Sequence, residues 1–139
     1  MSNFTWDKSL SVGNLAIDSG HQNLIGIINS IDYAIKNPNT ADLLRVLGRF
    51  YDFANLHFKE EEQIMLSINF TFVAHRQEHQ DLLEDLQKNM TRLSLNTHTE
   101  SGLKHYPDFL NDWLNQHIEV ASSSLKQVLS SYAYNFMPA

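Results

Sequence analysis

Cysteine is absent from the chain. That excludes disulfides, thiolate metal sites and a cysteine nucleophile. Basic residues are few: ten Lys and Arg stand against sixteen Asp and Glu, for a net charge of -6. A nucleic-acid binder carries a basic patch, so this balance argues against nucleic acid as a partner. No apolar run approaches the ~20 residues of a membrane span. The N-terminus has neither a basic start nor an apolar signal region. A soluble cytoplasmic protein without a membrane partner is the expectation. Neither a repeat period nor the alternation of a strand is present. What the sequence does hold is 42% hydrophobic residues, enough for a core, in 139 residues that suit one domain. A chain of this size buries roughly two thirds of its unfolded surface. It also holds seven histidines, at 21, 57, 75, 79, 98, 105 and 117.

The pattern predicts a single all-α domain over residues 1–139, an up-down-up-down four-helix bundle with an ordered N-terminal arm. The arm, 1–18, places Phe4, Trp6, Leu10, Val12, Leu15 and Ile17 at irregular spacing, as packing residues. The bundle spans about 19–132. Its first helix starts near Asp18 or Ser19, either of which can cap it, and carries His21, Leu24, Ile25, Ile27, Ile28 and Ile31. Asn37-Pro38-Asn39 ends it. The second helix, capped by Thr40, has the stripe Leu43, Leu47, Phe50, Ala54, His57, Glu61 and Met65. It stops at Ser67-Ile68-Asn69. The third runs from about Thr71 to Leu93 with Phe72, His75, His79, Leu82, Leu83 and Leu86 inward. Gln77, Glu78, Asp81, Glu84, Asp85 and Lys88 form its solvated face. Ser94 to Tyr106 reads as the longest loop, and Pro107 as the first turn of the fourth helix. That helix carries Leu110, Trp113, Leu114, His117, Val120, Ala121, Leu125 and Val128. A short aromatic tail, 132–136, follows. Short connections favour antiparallel neighbours, hence the bundle.

The stretch from His57 to Met65 poses the chemical question. Read as helix, it sets His57 and Glu61 one turn apart on a face that also carries Phe50, Ala54 and Met65. An unpaired buried carboxylate costs several kcal/mol in practice, so some group must compensate it. No Lys or Arg lies on that face. Each other helix contributes an inward imidazole as well: His21, the pair His75 and His79, and His117. Five imidazoles and one carboxylate on apolar stripes point to a metal centre. Imidazole suits iron, zinc, copper and nickel, while a bridging carboxylate suits harder ions, so the mixture favours iron. Six donors exceed one tetrahedral centre, which implies two ions. His98 and His105 read as surface residues. Glu60 and Glu62 lie about 100° either side of Glu61 and read as solvated.

Three stretches give this arrangement a resemblance: Phe4-Thr5-Trp6 through Ile17-Asp18-Ser19-Gly20-His21, His57 through Met65, and Trp113 through Ile118. With His75-Arg76-Gln77-Glu78-His79 between them, the chain resembles a bacterial hemerythrin of the HHE type over nearly its whole length. The resemblance implies that His75, His79 and His117 hold one iron. It implies that His21 and His57 hold the other, with Glu61 bridging. It further implies reversible binding of dioxygen, in storage, delivery or sensing, with small anions as further ligands at the iron. One position departs from the family pattern. The second bridging carboxylate, an Asp five residues after the histidine of the fourth helix, is here Ser122. Glu119 cannot replace it, since two residues turn the helix by about 200°. Two ferrous ions carry +4, and Glu61 offsets one unit. The loss leaves the site more positive and the ion at His21 and His57 more weakly held, with a water or small anion beside Ser122. Leu24, Phe58, Leu114 and Ile118 are expected to wall the pocket.

Two other readings stand beside the oxygen binder. One is an iron-dependent enzyme of peroxidase or oxidase type, for which the sequence offers no general acid or base beside the ligands. The other is a bundle that binds one metal, iron or zinc, without carrying oxygen. The pattern sets no oligomeric state.

Overall fold

The computed structural model describes residues 5–36, 39–70 and 73–138. Within them lie four long helices and no strand: α1 Leu15–Lys36, α2 Thr40–Ser67, α3 Val73–Ser94 and α4 Glu100–Leu129. They pack as the expected up-down-up-down bundle, α1 against α2 and α4, and α2 against α3. None of them is long and apolar enough to cross a membrane.

The caps show where local chemistry sets the boundaries. α1 starts four residues before Ser19. Asn14 caps it, its Oδ1 accepting from the Ile17 N–H at 3.2 Å. Asp18 is not the cap. Its buried carboxylate accepts from the Val12 N–H at 2.9 Å, the Ser11 hydroxyl at 2.5 Å and the Tyr134 hydroxyl at 2.9 Å. A buried charge needs such partners, and the arm and the tail supply them. The tail also docks through the Leu15 N–H to the Tyr134 carbonyl, 2.8 Å. Asn39, one residue before Thr40, caps α2 by accepting from the Asp42 N–H. α2 and α3 both end at an asparagine in the left-handed region, Asn69 at φ 59° and Asn96 at φ 57°. In each case the next N–H reaches back five residues, Phe70 to Met65 and Thr97 to Arg92.

The long loop expected over Ser94–Tyr106 is mostly helix. Thr99 accepts from the Gly102 N–H at 2.9 Å and starts α4 at Glu100, whose charge suits the first turn. Pro107 therefore lies inside the helix, not in its first turn. Tertiary contact holds this extension: Tyr106 is buried and donates to Asp85 at 2.8 Å. Burial and the Asp85 carboxylate both push the Tyr106 hydroxyl up, so it stays a donor.

The inward stripe of α2 is buried as expected, as are Leu24, Ile25, Ile27, Ile28 and Ile31 of α1. Leu83 and Trp113 are only half-buried. Val120 and Val128 turn outward, at 40% and 37% exposure. α3 and α4 approach each other least of the neighbouring helices. A cleft of about 290 Å³ lies in their seam, and Val120 lines it. Phe4 and Phe72 fall outside the described residues, as do Asn37, Pro38 and Thr71. Trp6 packs on the main core, as the arm was expected to do.

Candidate metal centre

The apolar core is split in two. The larger cluster includes Leu24, Ala54, Phe58, Leu82, Leu114 and Ile118. The smaller holds Ile17, Ile64, Met65, Ala121 and Leu125. On α1, α2 and α4 the candidate donors lie where one set gives way to the other, and on α3 they precede its part of the larger set, forming one polar layer across the bundle. α1 brings His21, α2 brings His57 and Glu61, α3 brings His75 and His79, and α4 brings His117. All six are buried, and His75 is the most open at 9%. The structure thus brings together all six residues singled out from the sequence.

Glu61 is the hub. Its Oε1 is hydrogen-bonded to His75 Nε2 and lies 3.3 Å from His117 Nε2 and 3.4 Å from His79 Nε2. Its Oε2 lies 3.0 Å from His57 Nε2, 3.4 Å from His21 Nε2 and 3.4 Å from His117 Nε2. Two groups of four donors result, and each fits a metal ion. One is Glu61, His75, His79 and His117. The other is His21, His57, Glu61 and His117, and within either group the ligand atoms lie within 4.8 Å of one another. The two oxygens of one carboxylate therefore face two separate sets of imidazoles, and His117 stands between them.

Hydrogen bonding alone does not account for this packing. A carboxylate offers about four lone-pair directions and no proton. The Nε2 atoms of His21, His57 and His79 are buried without a hydrogen bond, although each lies within 3.4 Å of a Glu61 oxygen. A buried unsatisfied polar atom costs about 1–3 kcal/mol. Three of them aimed at one carboxylate indicate a space shaped for cations. The charge states agree. Burial pushes His117 down to about 3, against an ordinary value of 6.5, despite the opposing pull of Glu61. Burial also lowers His21. Burial alone would raise the Glu61 carboxyl, but His117, His21 and His57 hold it well below the usual carboxylate range. Neutral imidazoles and an ionised carboxylate are the forms that bind metal.

Neighbouring side chains fix several rings. Phe58 stacks on His79 with centroids 3.9 Å apart and planes at 2°. Trp113 lies over His117 at 5.0 Å and 11°. Glu62 is not simply solvated: its Oε2 accepts from His79 Nδ1 at 2.9 Å. The available signal was its spacing of four from Phe58, which puts both on the side of α2 that meets α3. Gly20 was missed for a different reason. A Cβ built there would sit 1.9 Å from His57 Nδ1, so α1 and α2 can close over that ring only at a glycine. Its place directly before His21 was the clue.

Other residues lie apart from the layer. Ser122 is half-buried on α4 and joins none of the contacts around Glu61, and Glu119 is exposed. Glu60 is half-buried. His105 is exposed, 3.8 Å from Asp108, as expected of a surface residue. His98 is half-buried with its Nδ1 enclosed. Leu24, Phe58, Leu114 and Ile118 are buried beside the layer.

Comparison with known proteins agrees with this centre. Residues 13–129 match the model of the hemerythrin HHE cation binding domain. A hemerythrin-like protein of Naegleria gruberi is 31% identical over 129 residues, covering 92% of this chain and 95% of that protein. A bacteriohemerythrin of Clostridium acetobutylicum is 24% identical over 121 residues, covering 83% and 92%. One from Ralstonia nicotianae is 27% identical over 116 residues, covering 83% and 80%. The donor layer, its order along four helices and a match spanning all of them lead to one conclusion: this chain belongs to the hemerythrin HHE cation-binding family.

Proposed function

We propose that the chain is a non-haem di-iron protein that binds dioxygen, for storage, delivery or sensing, and is not primarily an enzyme. One observation carries this reading: His75 and His79 face one oxygen of the buried Glu61, His57 and His21 face the other, and His117 lies near both. In this assignment His75, His79 and His117 take the ion at Oε1. His21 and His57 take the ion at Oε2, and Glu61 bridges. A ferrous pair held by these residues would supply the electrons needed to bind dioxygen reversibly. The protein supplies the surroundings. Leu24, Phe58, Leu114 and Ile118 keep water and its protons from the layer, and Trp113 holds the His117 ring. Small anions would compete with dioxygen at the iron.

The Oε2 side is the weaker half. Without a second bridging carboxylate it has His21, His57 and a share of Glu61, and Ser122, a neutral hydroxyl apart from the layer, does not replace the missing charge. A second reading follows from that shortfall: one ion, iron or zinc, held at Oε1 alone. An anaerobic ferrous titration, followed by admission and removal of oxygen under a visible spectrum, separates the two. Two ions of unequal affinity and a reversible visible band support the di-iron carrier. One ion and no band establish the single-metal reading. Irreversible bleaching or sustained turnover of peroxide would replace both with an enzyme.

A further inference from the structure

Glu62 and Phe58 are one turn apart on α2 and face α3. His79 of α3 slots between them. The Phe58 ring covers its face at 3.9 Å, and the Glu62 carboxylate meets its Nδ1 at 2.9 Å. On the outer side, Arg76 Nε lies 3.4 Å from the other Glu62 oxygen. Glu62 is 21% exposed and His79 1%, so this contact is largely sheltered from water.

The geometry determines which ring nitrogen carries the proton. A carboxylate can only accept, so His79 Nδ1 must be the donor to Glu62. In the neutral imidazole Nε2 is then a bare lone pair. It points toward Glu61 Oε1 at 3.4 Å with no hydrogen between them, and it has no other hydrogen-bond partner. In that tautomer two lone pairs face each other across the gap, an arrangement that a cation between them would stabilise. A histidine that binds metal through one nitrogen commonly donates from the other to a carboxylate, which fixes the ring and raises its basicity.

Resting on the di-iron reading above, we propose that Glu62 is a positioning residue: it fixes the tautomer and orientation of His79 so that Nε2 is presented to the ion at Glu61 Oε1. Glu60, half-buried on the same helix and lining a small pocket beside His57, forms no hydrogen bond or ion pair with a donor ring and is the natural control.

The test compares Glu62→Leu, Glu62→Gln and Glu60→Leu with the parent chain. The first measurement is the His79 tautomer in metal-free protein, by nitrogen-15 NMR of the ring. The second is anaerobic ferrous-ion titration. The Nδ1–H tautomer should persist in the parent, in Glu62→Gln, whose amide oxygen still accepts, and in Glu60→Leu. It should be lost in Glu62→Leu. Affinity at the tighter site should fall on the order of 10–100-fold in Glu62→Leu. It should be largely retained in Glu62→Gln and unchanged in Glu60→Leu. The proposal is overturned if Glu62→Leu keeps both tautomer and affinity, or if Glu60→Leu loses as much. If the parent chain binds no ferrous ion, the di-iron reading fails, and the metal-free tautomer still decides what Glu62 does to His79.

Discussion

On the Oε1 side of Glu61, His79 is gripped by Phe58 and Glu62, and His117 lies against Trp113. On the Oε2 side, the outer nitrogen of His21 is buried without a partner, and His57 is held by close contact with Gly20. The first half thus has one directed hydrogen bond, at His79, and two stacked rings, while the outer nitrogen of His117 is unpartnered like that of His21. The other half is oriented by steric fit between α1 and α2. The first kind of support fixes a proton and a ring plane. The second fixes only where the ring can fit. In the proposed assignment the Oε2 side also has one imidazole fewer, so the two halves should differ in affinity and in how they fail.

The largest effect that could break this contrast is removal of the shared residue. Glu61→Leu should cost both sites on the order of 100-fold or more in ferrous affinity, because each loses its charged donor. If the variant still takes up one ion tightly in an anaerobic titration, the halves do not depend on a common bridge. Next comes Gly20→Ala. Its Cβ would meet His57 Nδ1 at 1.9 Å, and overpacking of this kind costs about 1–3 kcal/mol. The ion at Oε2 should be lost while the one at Oε1 stays. Metal content and thermal melting of the variant read both effects, and equal loss at the two sites would erase the distinction.

Ser122→Asp should sharpen the contrast in reverse. A carboxylate at that position should strengthen the weaker site by about tenfold, which is about 1.4 kcal/mol. Unchanged stepwise affinities would remove Ser122 from the account. A further effect is on pH. His117 is depressed to about 3 in the fold, against 6.5 ordinarily, so the unfolded chain takes up this proton first as pH falls. Glu61, also depressed, contributes stability that is lost only as pH falls through its folded value. Both slopes have the same sign: metal-free protein should be stable near neutrality and lose stability steadily below about pH 6.5. A melting temperature that stays flat down to pH 4 would contradict the burial of neutral imidazoles.

The expected stripes were legible because an amphipathic helix writes its inward face at a period near 3.6. His57 and Glu61 stand out within such a stripe because their charge conflicts with burial. The misreadings have physical causes too. The start of α4 was hidden by a polar, glycine-containing stretch whose helix depends on the Thr99 cap and on Tyr106 reaching Asp85. Asp18 looks like a helix cap in isolation, and only the folded arm and tail reveal it as their common acceptor. Val120 and Val128 fit the stripe of α4 by spacing, but α3 does not come close enough to cover them.

The sequence by itself determined the number of helices, most of the faces they bury and the six candidate donors that share those faces, since each is a property of spacing along one helix. The tertiary structure alone decided which Glu61 oxygen each imidazole faces, that Glu62 turns in to His79, and that Gly20 must be bare for His57 to fit. These are relations between helices, set by crossing distances of a few ångströms, which no single helical period records.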